Sequence, residues 1–147
     1  MEIKNPMAVN FKIRSVIMGY KTNGLTFNTL REANIERLKE PKYDKCQAEW
    51  STAHWMQALV GEVGELANIL KKIDRGDYLD APLYKHVEIK RSIENELADI
   101  QCYLDLLALK LKVDLGESTI DKFNVISERI GSRVWIDAED WHLRAEV

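Results

Sequence analysis

Cysteine is scarce, with two residues, Cys46 and Cys102, in a chain of 147. Two such positions form neither a zinc-ligand spacing nor a disulfide framework, and they suit a reducing compartment. No apolar run is long enough to cross a bilayer. Near the N-terminus, Lys4, Asn5, Lys12 and Arg14 interrupt any signal-like stretch. The expectation is a cytoplasmic protein with no membrane partner. Neither charge dominates: 21 Lys and Arg stand against 24 Asp and Glu, a net charge of −3. The basic residues are dispersed, so no nucleic-acid partner is expected. Solenoid-type repeats and low-complexity tracts are also absent.

What remains is an ordinary globular composition, 46% hydrophobic and 31% charged. The length fits one domain, 1–147, with a real core. Residues 1–25 read as an arm; Val9 to Ile17 alternates apolar and polar as an edge strand does, and Asn23-Gly24 marks a turn. Residues 26–131 read as a helical core. A first helix covers Thr26 to Lys39, with Leu30, Ala33 and Leu38 as its stripe and Pro41 as its stop. After a loop from Pro41 to Trp50, Ser51 caps a long second helix that ends near Asp74-Arg75-Gly76. Asp77 to Tyr84 is a loop with Pro82. A third helix begins between Lys85 and Glu88 and runs to about Lys112. A fourth opens at Asp114 or Gly116 and reaches Ile130, with Gly131 closing it. The tail, 132–147, is less regular, and its Trp135 and Trp141 dock on a neighbouring surface. Four helices with short connections predict an all-α four-helix bundle.

Two of these helices carry acid on the wrong face. At roughly 100° per residue, Leu59, Leu66, Ile69, Leu70 and Ile73 form one stripe. Glu62 lies inside that stripe and Glu65 at its edge. In the third helix Ile93, Ile100, Leu104, Leu107 and Leu111 form the stripe, with Glu96 inside it and Asp99 at its edge. A carboxylate aimed at a core is costly unless something positive neutralises it. Packed together, the two helices bring four carboxylates into one place, where they repel unless cations sit among them. All-oxygen ligands with no His or Cys nearby favour a hard ion, Mg²⁺ or Mn²⁺.

The pairing of E-V-G-E with E-L-A-D, roughly thirty residues apart, resembles the E-x-x-E … E-x-x-D signature of the MazG-like nucleoside triphosphate pyrophosphohydrolases. That all-α superfamily includes dimeric dUTPases and dCTP pyrophosphatases. The blocks L-V-G-E-V-G-E-L-A, L-A-D-I-Q-C-Y-L-D-L-L-A and D-K-F-N-V-I-S-E-R-I-G-S are similar to those of the family, and L-R-E-A-N-I-E-R is similar to its first helix. The resemblance spans about residues 25–136. Gly61 stands where many relatives carry a further acid, which leaves four carboxylates instead of five; dCTP-type relatives share this glycine.

The resemblance implies cleavage of a (deoxy)nucleoside triphosphate between the α and β phosphates, giving a monophosphate and pyrophosphate. Glu62, Glu65, Glu96 and Asp99 match the Mg²⁺ ligands. Either Glu62 or Glu65 serves as acceptor of the water proton. It further implies a homodimer or a dimer of dimers. A dNTP, dCTP or dGTP ahead of dUTP, is the expected substrate; modified nucleotides and alarmones are the alternatives within the family.

Other residues carry a substrate-binding reading beside a plain one. Lys122, Asn124 and Arg129 belong to the K-F-N block; with Lys122 and Arg129 seven apart on one side, they suit the triphosphate, or else a solvated face. Trp50 and His54 suit a base pocket with stacking and edge recognition, or else a helix entry beside a core Trp55. Tyr103 follows the acid row and fits either the substrate or the core. Asn34 reads a base or is an exposed helix polar residue. Lys71, Lys72 and Arg75 are explained by the helix dipole alone. Arg133 is a weaker anion candidate, and Cys102 is a buried small thiol.

Two rival functions remain open on the sequence. Carboxylate-bridged iron bundles use E-x-x-H pairs, and neither pair here has histidine at that position. A non-catalytic helical binding module is the other.

Overall fold

A computed structural model describes residues 24–40 and 49–137, and the backbone of 141–143. The strand expected at Val9 to Ile17 and most of the loop after Pro41 lie outside the described residues. Four helices are described: α1 (Phe27–Leu38), α2 (Thr52–Asp74), α3 (Leu83–Leu111) and α4 (Leu115–Arg129). Two short strands follow, β1 (Val134–Ile136) and β2 (Trp141–Leu143). The class is all-α, as the sequence predicts. No described helix is long and apolar enough to cross a membrane. The chain divides into two compact units.

The first unit contains α2 from Ala53 and residues 83–104 of α3. The rings of Trp55 and Tyr103 lie 6.2 Å apart at 45°. A carboxyl oxygen of Glu62 and one of Glu96 lie within 4.8 Å of each other. Seven residues, about two turns, separate the contacting positions on each helix, and the order is reversed, so the helices run antiparallel in one register. Leu59, Glu62, Leu66, Ile69 and Ile73 are half-buried on α2, as are Ile93, Glu96, Ile100 and Leu104 on α3. Leu70, expected in the α2 stripe, is exposed, because its position is turned roughly 80° away from Glu62.

Helix ends follow local chemistry. Thr26 caps α1 by accepting from Thr29 N at 3.1 Å, and Asp114 caps α4 by accepting from Glu117 N at 3.0 Å. Three helices close with the same paired bonds. At α2, Gly76 N donates to Ile73 O and Asp77 N to Lys72 O; at α4, Gly131 N donates to Glu128 O and Ser132 N to Ser127 O. Each needs a left-handed residue, and Gly76 (φ 80°) and Gly131 (φ 67°) supply it. At α3 the same role falls to Lys112, at φ 59°, with Lys112 N on Leu109 O and Val113 N on Ala108 O.

The start of α3 corrects the expected boundary. The helix begins at Leu83, before Lys85, because Pro82 lies just outside the first turn, where its missing N–H costs nothing, and its carbonyl accepts from Lys85 N at 2.9 Å.

The second unit contains α1, residues 105–111 of α3, α4 and the strands. Its centre is polar as well as apolar: Leu106 and Ala108 are buried, and so are Asn34 and Asp105, at 2% and 1% exposure. Leu111, expected on the α3 stripe, is exposed in the last turn. The tail is more regular than expected from its sequence, since β1 and β2 pair antiparallel, Val134 with Leu143 and Ile136 with Trp141. Asn124 on α4 holds β1: its amide donates to Ile136 O at 2.7 Å and accepts from Ile136 N at 3.0 Å. Trp135 is half-buried in β1.

Candidate active site

Acids of α2 and α3 come together within the first unit, with Glu62 and Glu96 half-buried and Glu65 and Asp99 exposed, where the sequence places all four on packing faces. One oxygen each from Glu62, Glu65 and Glu96 can be chosen so that all lie within 4.8 Å of one another. Glu62 and Glu65 are one turn apart on α2, and the antiparallel register places Glu96 across from Glu62. Asp99 stands outside the close trio, yet its charge reaches Glu62.

The cluster is electrostatically loaded. The Glu62 carboxyl is held above its usual range, first by burial, then by its hydrogen bond with Glu96, then by the charges of Asp99, Glu65 and Glu96. No Lys, Arg or His is among the causes acting on Glu62. A cation among these oxygens would relieve the repulsion. The donor set is all oxygen, with no histidine or cysteine in it, which fits a hard divalent ion. Two oxygens on one Mg²⁺ stand up to about 4.2 Å apart, so the trio lies within a small side-chain adjustment of one ion.

The other candidates divide by unit. In the first, His54 is exposed in the first turn of α2, and Tyr103 is half-buried against Trp55, which is 3% exposed. In the second, Trp50 is half-buried just before α2, and Lys122 and Arg129 are exposed on one side of α4. Asn124 is half-buried and both ends of its amide are engaged by the Ile136 peptide. Asn34 is buried, with its amide donating to Asp105 Oδ2 at 2.9 Å and accepting from Arg37 at 2.7 Å.

One acid escaped the sequence reading. Asp105 is buried within the apolar run of α3 and is neutralised by Arg31 Nε at 2.8 Å. Among the described residues no buried side-chain polar atom lacks a partner. The signal was the one that marked Glu62: an acid among leucines, in Y-L-D-L-L-A. Its partner, 74 residues earlier, was not visible by spacing.

No family model matches the chain. Among curated proteins it is similar to dCTP pyrophosphatase 1 of Rattus norvegicus and of Mus musculus, in each case 31% identical over 87 residues. That segment is 56% of this chain and 50% of each relative, so the chain spans about half the length of the curated relatives it matches.

Proposed function

We propose that this chain is a divalent-metal-dependent nucleoside triphosphate pyrophosphohydrolase, acting on a dNTP such as dCTP or dGTP, as a homodimer or a dimer of dimers. The carboxyl trio of Glu62, Glu65 and Glu96 carries the reading: one oxygen from each lies within 4.8 Å of the others, with Glu62 and Glu96 half-buried among apolar side chains. The likeness to dCTP pyrophosphatase 1 supports the substrate class.

Glu62, Glu65 and Glu96, joined by Asp99, would hold Mg²⁺, with Mn²⁺ as the alternative. When bound, the ion supplies charge neutralisation at the polyphosphate and lowers the pKa of water. The protein's own part is placement. The acids on α2 and α3 keep a fixed register because Trp55 and Tyr103 pack in the same hairpin. Glu62 or Glu65 accepts the proton as water adds across the bond between the α and β phosphates. Lys122 and Arg129 are cations suited to phosphate oxygens. Trp50, His54 and Tyr103 are the candidates for contact with the nucleoside; the amides of Asn34 and Asn124 are already engaged within the fold.

The test is a screen of common and modified triphosphates with Mg²⁺ or Mn²⁺, separating pyrophosphate from single phosphate. Pyrophosphate and the nucleoside monophosphate are expected in equal amounts. No turnover of any triphosphate sinks the reading.

A further inference from the structure

The two sides of the α2–α3 hairpin differ. Because the helices are antiparallel, positions rotated in the same sense from Glu62 and Glu96 fall on the same side of it. One side is apolar, with Val63, Leu70 and Leu97 exposed on it. Glu65 and Asp99 are each turned roughly 60° the other way, and both are exposed. The carboxyl cluster therefore opens on the second side. The positions of α2 beside it there are small: Ala58, and Gly61, where an added Cβ would meet nothing within 4 Å.

Lys72 continues the column of Glu65. It lies seven residues on, about two turns and roughly 10 Å along the axis, and faces within about 20° of it. Long helical side chains lean toward the helix N-terminus, which is the direction of Glu65 from Lys72. The acids near it in register are engaged elsewhere: Glu88 on α3 pairs with Lys85 at 3.1 Å, and Asp77 pairs with Arg75 at 2.6 Å. Among the described residues no ion pair engages Lys72. Lys71 is placed differently. It is turned roughly 180° from Glu62, and its ammonium donates to Asn68 Oδ1 at 3.1 Å. The helix dipole accounts equally for both lysines; the register of the hairpin separates them.

We infer that Lys72 is a substrate-binding residue that receives the β and γ phosphates, the part that leaves as pyrophosphate. The identification rests on the hydrolase reading and adds a contact to it. Of the nucleoside candidates, His54 and Tyr103 lie toward the opposite end of the hairpin, where Tyr103 meets Trp55, seven residues before Glu62. With the nucleoside there and the reacting phosphate at the carboxyl cluster, the remaining phosphates run toward the C-terminal end of α2. An ammonium on a flexible stem suits phosphate oxygens as a point charge.

The test compares Lys72→Ala with Lys71→Ala, which removes the same charge at the same helix end but on the other face. With Mg²⁺ and the triphosphate preferred in the screen, Lys72→Ala is expected to raise KM at least tenfold, and Lys71→Ala less than twofold. Inorganic pyrophosphate with Mg²⁺ should bind Lys72→Ala at least tenfold more weakly than the parent chain by calorimetry. The nucleoside monophosphate, which lacks those phosphates, should bind both variants within twofold of the parent. Equal effects of the two alanine variants, or monophosphate binding lost as fully as pyrophosphate binding, overturn the inference. Hydrolysis is scored separately: a parent that binds pyrophosphate through Lys72 but turns over no triphosphate upholds the contact and sinks the hydrolase reading. A parent that turns over triphosphate with a KM indifferent to Lys72→Ala does the reverse. One that neither binds pyrophosphate nor turns over triphosphate sinks both.

Discussion

Glu62 and Glu96, two acids on opposite helices, face each other closely enough that carboxyl oxygens of both, with one of Glu65, lie within 4.8 Å. The crowding raises the Glu62 pKa, and that shift sets how the carboxyl cluster of the metal-free protein responds to pH. The raised Glu62 pKa means that the folded state binds more protons than the unfolded chain just above the ordinary glutamate range. The contribution of Glu62 to the stability of the metal-free protein is therefore fully present below the ordinary glutamate value. It should be lost as pH rises from that value through the raised one. Melting curves in EDTA across that range check the sign.

Magnesium or manganese competes with the same proton. The rise in melting temperature on adding either ion should grow with pH, and binding should release protons into an unbuffered solution. Glu62→Gln keeps the shape and removes a charge. It is expected to leave the metal-free protein at least as stable, abolish the metal-induced shift, and cut pyrophosphate release by about 100-fold or more. Calorimetry and a pyrophosphate assay on one preparation settle both points.

The Arg31–Asp105 pair predicts a different phenotype. Asp105 is 1% exposed, so Arg31→Met leaves a buried anion with only Asn34 beside it. The expected cost is about 3–5 kcal/mol, read as a lower denaturant midpoint. Replacing both partners by apolar residues of similar size should recover much of that loss.

Lys112 occupies a left-handed conformation that glycine adopts freely. Lys112→Gly is expected to stabilise the protein by about 1 kcal/mol. Gly76→Ala tests the converse. It adds a methyl 2.8 Å from Leu79 Cδ1 at a positive φ and should lower the melting temperature.

Asn124→Ala removes both bonds to the Ile136 peptide. A loss of about 1–3 kcal/mol is expected, with faster hydrogen exchange at the Ile136 amide. Asn124→Asp keeps an acceptor for that amide and loses the donor, so its effect should be intermediate in exchange.

The hairpin was legible in the sequence because its signals are periodic. Glu62 and Glu96 stood out as acids inside apolar rows, and Thr26, Asp114 and Gly131 marked helix ends by their own chemistry. What escaped has no such period. Asp105 depends on a partner 74 residues away. Strands of three residues are too short for alternation to declare itself. The Lys112 turn is formed by a residue that ordinarily argues against it.

The bracket of Asn124 on Ile136 also bears on solubility. A two-stranded sheet has two outer edges, each a template on which a stray strand can grow into an aggregate. At Ile136 the carbonyl and amide that point away from β2 are already occupied by one side-chain amide. At that position, a foreign strand finds no vacant hydrogen-bonding groups on β1.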